Sequence, residues 1–218
     1  MADAFSLANH DFADASIVRL EVGSADAIKS LFVHEAVVCA VSPVLKAAFQ
    51  GNFRESQQKV CTLEDTDLAT ANALVQWLYT RKTFCLDTKE GKDAQTYYLE
   101  TARLYVCACK YMISSLIESL EHDIAHAPYD VPYADSVSLV YKNTPPSSGL
   151  RKIYTACYAS HTALDEWFGS DSCMELFASC PDFAADLAIA FARRLKDPNK
   201  ACHLHQLLGM TTCVKPFI

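Results

Sequence analysis

Alternating apolar and polar residues predict a strand hairpin near the start of the chain. Ile17, Leu20 and Val22 interleave with charged residues, which is the period of a half-buried strand. Gly23 supplies a turn, and residues 28–33 predict the returning strand. The polar-leaning residues before the hairpin indicate a flexible N-terminus over 1–14.

Short helices are predicted after the hairpin. Ser42 followed by Pro43 favours a helix start, because the serine oxygen accepts an unpaired N–H and the proline lacks one. We expect that helix to end at Gly51, in the left-handed conformation that glycine favours.

Another strand and helix are predicted next. Residues 59–63 predict a short strand, and Asp65 or Asp67 can cap a helix whose apolar residues share one face over 68–78. Residues 83–86 predict a further strand.

The second half of the chain has a helical period. Apolar residues recur in steps of one, three and four between Tyr98 and Ile124, which predicts one helix or two consecutive helices. Residues 150–168 predict a single helix and Pro181 begins another. Four of the eight prolines fall within 128–146, which indicates a Pro-rich linker over 128–149. We therefore expect an α+β domain over 15–127, a helical C-terminal region over 150–197 and a tail over 198–218.

Charge and hydropathy exclude several kinds of partner. The net charge of −7 argues against affinity for phosphate backbones or anionic lipid, so we expect no direct nucleic-acid and no membrane partner. Eighteen consecutive apolar residues occur nowhere in the sequence, and no secretory signal is recognisable. The ten cysteines are therefore expected to be reduced thiols in a cytoplasmic or nuclear protein.

Glycine spacing argues against nucleotide cofactors. The six glycines are at least twenty residues apart, whereas dinucleotide-binding and phosphate-binding loops need two or three glycines within six residues. The same spacing excludes the Gly-x-Ser-x-Gly nucleophile elbow. We expect no cofactor and no enzymatic activity, and a small enzyme with an unrecognised site is the weakest alternative.

Possible metal ligands lack a convincing pattern. His34-Glu35 begins like a zinc-protease motif, but Val38 stands where the second histidine would be. His122 and His126 are one helical turn apart without a further ligand pair nearby. A further group of cysteines and histidines near the C-terminal end has spacings that match no compact zinc site, so we expect no metal there either. Its members are Cys173, Cys180, Cys202, His203 and His205.

An ordered series of motifs resembles the BTB/POZ family. The stretch LFVHEAVVCAVSPVLKAAFQGNFRESQQKVCTLEDTD is similar to the family's central pattern, and LVQWLYTRKTF and ARLYVCACKYMISSLIESLEHDI resemble its later helices. The resemblance covers residues 15–127. The matching structural positions in the first stretch include His34, Ser42, Pro43, Gly51, Phe53, Glu55 and Ser56. Two later segments resemble the helical tail of many filamentous-fungal members.

The chain departs from the family pattern at a few positions. Leu45 stands where an aromatic residue is usual after Ser-Pro, and Arg81 replaces the usual turn glycine. Cys109 precedes Lys110 where the family often has aspartate, and the loop over 87–95 is longer than usual. Because of its extra length, an interface that family members form at this loop is not expected to carry over directly to this chain.

The resemblance implies a non-enzymatic protein-interaction module. It implies a homodimer formed by the first strand and first helices, for which the candidate residues are Ile17, Val18, Leu20, Val22, Val37, Val41 and Leu45. Some members recruit cullin 3 as ubiquitin-ligase adaptors, often through an apolar-x-Glu motif. The candidate residues for that contact are Phe53, Tyr79, Tyr98, Leu99 and Glu100. A transcriptional co-regulator or scaffold that acts through its dimer without cullin is the alternative.

Overall fold

The predicted hairpin is present and belongs to a small mixed sheet. The computed structural model describes residues 15–23, 27–83, 93–127, 131–160 and 165–196. Strand β1 (Ile17–Val22) pairs antiparallel with β2 (Lys29–His34). On its other side β1 pairs parallel with β3 (Val60–Thr62), so the strand order is β2-β1-β3. Within the described ranges, β1 is therefore the central strand.

Four helices accompany the sheet in sequence: α1 (Glu35–Cys39), α2 (Pro43–Gln50), α3 (Arg54–Gln58) and α4 (Leu68–Thr80). Ser42 caps α2 as predicted, and its Oγ accepts from the Leu45 N–H at 3.1 Å. The same Oγ donates to the Tyr111 carbonyl at 2.6 Å. Of the two predicted caps for α4, the structure uses Asp67, which accepts from the Thr70 N–H.

Gly51 ends α2 for a different reason from the predicted one. Its φ is −86°, so the left-handed conformation is not used. A Cβ at this position would lie 2.4 Å from the Ala47 carbonyl oxygen and 3.1 Å from the Phe53 ring. Glycine is therefore required by lack of space.

Arg81 adopts the left-handed conformation that the family usually gives to glycine. Its φ is 56°, and its N–H closes α4 by donating to the Trp77 carbonyl at 2.8 Å. The guanidinium carbon lies 4.7 Å from the centre of the Trp77 ring, and this cation–π contact offsets part of the backbone strain. The strand predicted at 83–86 is not formed at Thr83, and residues 84–86 lie outside the described part.

The long periodic segment forms two helices, α5 (Ala94–Lys110) and α6 (Ser114–Ala125). The chain turns between them at Met112, whose φ is 54°. Of the two alternatives that the periodicity left open, the structure has consecutive helices.

Five helices are described beyond residue 130: α7 (Ala134–Asn143), α8 (Gly149–Ser160), α9 (Asp165–Phe168), α10 (Asp171–Ser179) and α11 (Pro181–Lys196). Helix α7 lies within the expected linker and buries Val137, Val140 and Tyr141. The prolines flank this helix and do not interrupt it. A single helix is predicted over 150–168; of this range the structure describes α8 as far as Ser160 and then α9, and residues 161–164 lie outside the described part. The tail over 198–218 also lies outside the described residues.

Packing divides the chain into two units. The sheet unit comprises Met1–Asp87 and Arg103–Ser119, and the helical unit comprises Thr88–Ala102 and Leu120–Ile218. The limits of these units fall within α5 and α6, and the domain boundary expected after residue 127 stays a prediction. The predicted α+β class, with added C-terminal helices, is confirmed.

Candidate interaction surface

Most of the residues predicted to form a dimer interface lie in the core of the sheet unit. The exposed fraction is 2% or less for five of them: Val18, Leu20, Val22, Val37 and Leu45. Their side chains cannot reach a partner while that core stays closed. Pairing on both sides of β1 also removes any free strand edge over Arg19–Glu21. The accessible part of the predicted interface is reduced to Ile17 and the half-buried Val41.

An apolar surface that the sequence did not reveal lies on the other side of the hairpin. Ile17, Arg19 and Glu21 alternate with the buried residues of β1, and Phe32 lies opposite Arg19 on β2. Phe32 is 67% exposed and Ile17 is 45% exposed. Arg19 and Glu21 form an ion pair of 3.1 Å beside them. We call these four residues the outer sheet face.

A smaller apolar surface lies where α1 leads into α2. Val41 is half-buried in this turn, and Val44, in the first turn of α2, is 37% exposed. Both positions neighbour the proline at N1 that starts the helix. The first helices therefore do present apolar side chains, at positions different from Val37 and Leu45.

Phe53 is a fixed, exposed aromatic residue. Its side chain is 58% exposed. Its carbonyl accepts from the Ser56 Oγ at 2.7 Å, and the missing Cβ of Gly51 makes room for its ring. Glu55 is half-buried in the first turn of α3. The Gly-x-Phe-x-Glu-Ser motif thus positions an aromatic ring at the surface of the sheet unit.

Tyr79 and His34 hold each other in place. The Tyr79 hydroxyl accepts from the His34 backbone N–H at 2.9 Å, and it lies 2.8 Å from the His34 Nδ1. Which of the two groups donates in the second contact depends on the tautomer of the imidazole. Both contacts join the end of β2 to α4, so Tyr79 shares the structural position predicted for His34.

The Tyr98-Leu99-Glu100 segment belongs to the helical unit and does not expose its aromatic residue. Tyr98 is 1% exposed, and its ring packs edge-on against Tyr154 with the centres 6.1 Å apart. Leu99 and Glu100 are half-buried. Tyr98 is thus a core residue, and it cannot act as the apolar anchor of a cullin-binding motif without leaving that core.

The sheet unit also contains a carboxylate network that the sequence did not predict. The Glu35 side chain accepts from Ser16 Oγ at 2.9 Å, from Lys59 Nζ at 2.8 Å and from Gln50 Nε2 at 3.3 Å. Burial raises the pKa of the Glu35 carboxyl, and the three donors lower it by more, so the pKa lies below its ordinary value of 4.5. These partners lie far from Glu35 in sequence, so no local motif could identify the network.

Two buried thiols of the sheet unit are not activated. Burial raises the pKa of Cys39 to about 11 and that of Cys107 to about 11, so both remain protonated at neutral pH. Seven cysteines in the described ranges are free thiols. His122 and His126 stack with ring centres 4.2 Å apart, and Cys173 and Cys180 are buried. Cys202, His203 and His205 lie outside the described residues.

The described ranges contain neither a metal-binding cluster nor a membrane-spanning helix. There, no group of three or more His, Cys, Asp or Glu residues is arranged to hold a metal ion. The same ranges contain no helix with the length and apolar character needed to cross a bilayer.

Comparison with known proteins gives the family. The family model for the BTB/POZ domain matches residues 6–127, which is 122 of the 218 residues and more than half of the chain. No curated protein matches the sequence. BTB/POZ domains are protein–protein interaction modules. The motifs around Ser42 and Phe53, the small mixed sheet and this match agree, and the chain belongs to the BTB/POZ family.

Proposed function

We propose that the chain forms a homodimer through its sheet unit and recruits a partner protein through exposed aromatic residues. The outer sheet face carries this proposal, because Phe32 and Ile17 are the exposed large apolar residues within its strands β1 and β2. Burial of a fully exposed Phe or Ile side chain contributes about 1.5–3 kcal/mol. A symmetric dimer would bury both copies of each of these side chains, one from each subunit.

The proposal includes a non-catalytic role in the cytoplasm or nucleus. It is supported by the free thiols, which suit a reducing compartment, and by the high pKa of Cys39 and Cys107, which makes them poor nucleophiles.

Substitution of Phe32 tests the dimer surface. We expect Phe32→Ser to weaken dimerisation of the full chain about 30-fold, since central aromatic residues dominate binding energy at interfaces. Met112→Ser is the matched control, because Met112 is 58% exposed in the same unit but lies outside the outer sheet face. Sedimentation velocity over a dilution series measures both dissociation constants. Equal constants for the two variants would contradict the proposed surface.

We further propose that the dimer recruits cullin 3, with Phe53 as the principal contact. The exposure of Phe53 and its fixed position support this choice. The burial of Tyr98 argues against a contact centred on Tyr98-Leu99-Glu100. The remaining candidates, Tyr79, Leu99 and Glu100, are half-buried and would contribute less.

A pull-down with an N-terminal cullin 3 fragment tests this step. We expect the wild-type chain to be retained, Phe53→Ala to lose at least tenfold in affinity, and Leu99→Ala and Glu100→Ala to change it less. Arg54→Ala is a control next to Phe53, because its exposed side chain bonds only Gln58 among the described contacts. Absence of binding by an intact dimer would contradict the cullin step and favour a transcriptional co-regulator or scaffold.

A further inference from the structure

Helix α11 has an apolar face that is exposed to solvent. Its opposite side is in the core of the helical unit through Phe183 and Leu187, and Arg194 donates from that side to the Ala159 carbonyl. The exposed side carries five apolar residues, with Lys196 among them at the end of the helix: Ala185, Ala188, Ile189, Ala192 and Leu195. Leu195 is 81% exposed and Ile189 is 47% exposed. A helix on the surface of a single chain normally has polar residues there.

The charges beside this face are arranged in a self-complementary way. At 3.6 residues per turn, Asp182, Ile189 and Lys196 lie within about 20° of one line along α11, and Arg193 lies about 40° to one side of it. All three charged residues are exposed. The acidic residue is at the start of α11 and the basic residues are at its end. Asp182 and Lys196 each lie seven residues from Ile189, on opposite sides of it.

We propose that two copies of the chain pair through α11, antiparallel, about a twofold axis at Ile189. In this arrangement Asp182 of one copy faces Lys196 of the other copy, and the pair occurs twice because the interface is symmetric. Ile189 meets its own copy at the centre, and the alanines allow the helices to approach closely. A parallel pairing would place like charges together at both ends of the helix.

This surface belongs to the helical unit, so it is separate from the dimer surface proposed for the sheet unit. The two predictions are therefore distinguishable. Phe32→Ser leaves association through α11 intact, whereas a substitution at Ile189 leaves dimerisation through the outer sheet face intact.

Sedimentation equilibrium of the full chain tests the α11 pairing. We expect Ile189→Glu to weaken this association more than 100-fold, because it places two like charges against each other at the twofold axis. Met174→Glu is the matched control, since Met174 is an exposed apolar residue of the same unit on α10 and is 64% exposed. If the two variants and the wild type have the same mass at every concentration, the pairing is wrong.

Charge reversal gives a second test that does not change the apolar face. Lys196→Glu and Asp182→Lys are each expected to weaken association about fivefold, and the double variant is expected to restore it. Asp182 also lies 3.9 Å from the Arg151 guanidinium, so Lys196→Glu is the cleaner single variant. Loss without rescue in the double variant would contradict the antiparallel register. If residues 201–210 of the same chain covered this face, the substitutions would have effects that do not depend on protein concentration. That result would also contradict the proposal.

Discussion

Arg151→Ala is expected to lower the free energy of unfolding of the helical unit by about 3–4 kcal/mol. Arg151 is buried, with only 4% of its area exposed. Its guanidinium donates to the carbonyls of Tyr141 and Thr144 and, at 3.2 Å, to the Thr144 Oγ1. Helix α7 ends at Asn143, so these carbonyls are among those that a helix leaves unpaired at its C-terminus.

The geometry around Arg151 adds to these hydrogen bonds. Its guanidinium carbon lies 4.6 Å from the centre of the Tyr141 ring, and its positive charge is at the negative end of the α7 dipole. Alanine would leave buried acceptors without a donor. Lysine would keep the charge but lose the planar arrangement of donors, so we expect Arg151→Lys to cost about half as much.

Urea unfolding followed by far-UV circular dichroism measures this effect. Lys152→Ala is the control, because Lys152 is the next residue on α8 and its side chain is exposed. We expect that control to change stability by less than about 0.5 kcal/mol. Similar stabilities for Arg151→Ala and Lys152→Ala would show that the cap contributes little.

Glu35→Gln is expected to destabilise the sheet unit by about 1–2 kcal/mol at neutral pH. The amide cannot keep the ion pair with Lys59, and its NH₂ group cannot accept a hydrogen bond. Lys59 is 40% exposed at its side chain, so solvent screening reduces this cost below that of a fully buried pair.

The effect should depend on pH with a definite sign. Because the pKa of Glu35 is lower in the folded protein than its ordinary value of 4.5, its carboxylate stabilises the fold above that value. This contribution is lost as the pH falls through the folded pKa. The stability difference between wild type and Glu35→Gln should therefore be full at pH 7 and shrink below about pH 4.5.

Unfolding by urea at a series of pH values tests this dependence. Glu64→Gln is the control, because the Glu64 side chain is exposed in the same unit. A stability difference between wild type and Glu35→Gln that stays constant down to low pH would contradict the role assigned to the carboxylate.

Local chemistry made part of the fold predictable from sequence. The hairpin follows from its period of two, and the start of α2 follows from Ser42 and Pro43, whose capping chemistry involves neighbouring residues only. Helix α7 was not predicted, because the prolines on both sides of it indicate a linker. Thr144 is extended, as the residue before a proline favours, and this marks where α7 ends.

The surface was less predictable than the fold, because exposure depends on how the elements pack. Val18 and Leu20 indicate a strand, but the same alternation that reveals the strand puts them in the core. Phe32 lies on the opposite face and gave no signal of its own. Glu35 is held by residues 15 to 24 positions away, which only the folded chain brings together.

Self-association of the full chain is the central claim, and its molar mass tests it most directly. Light scattering behind a sizing column, with the protein at tens of micromolar, is expected to give at least twice the chain mass of 24.1 kDa. A strictly monomeric mass under these conditions would contradict the account.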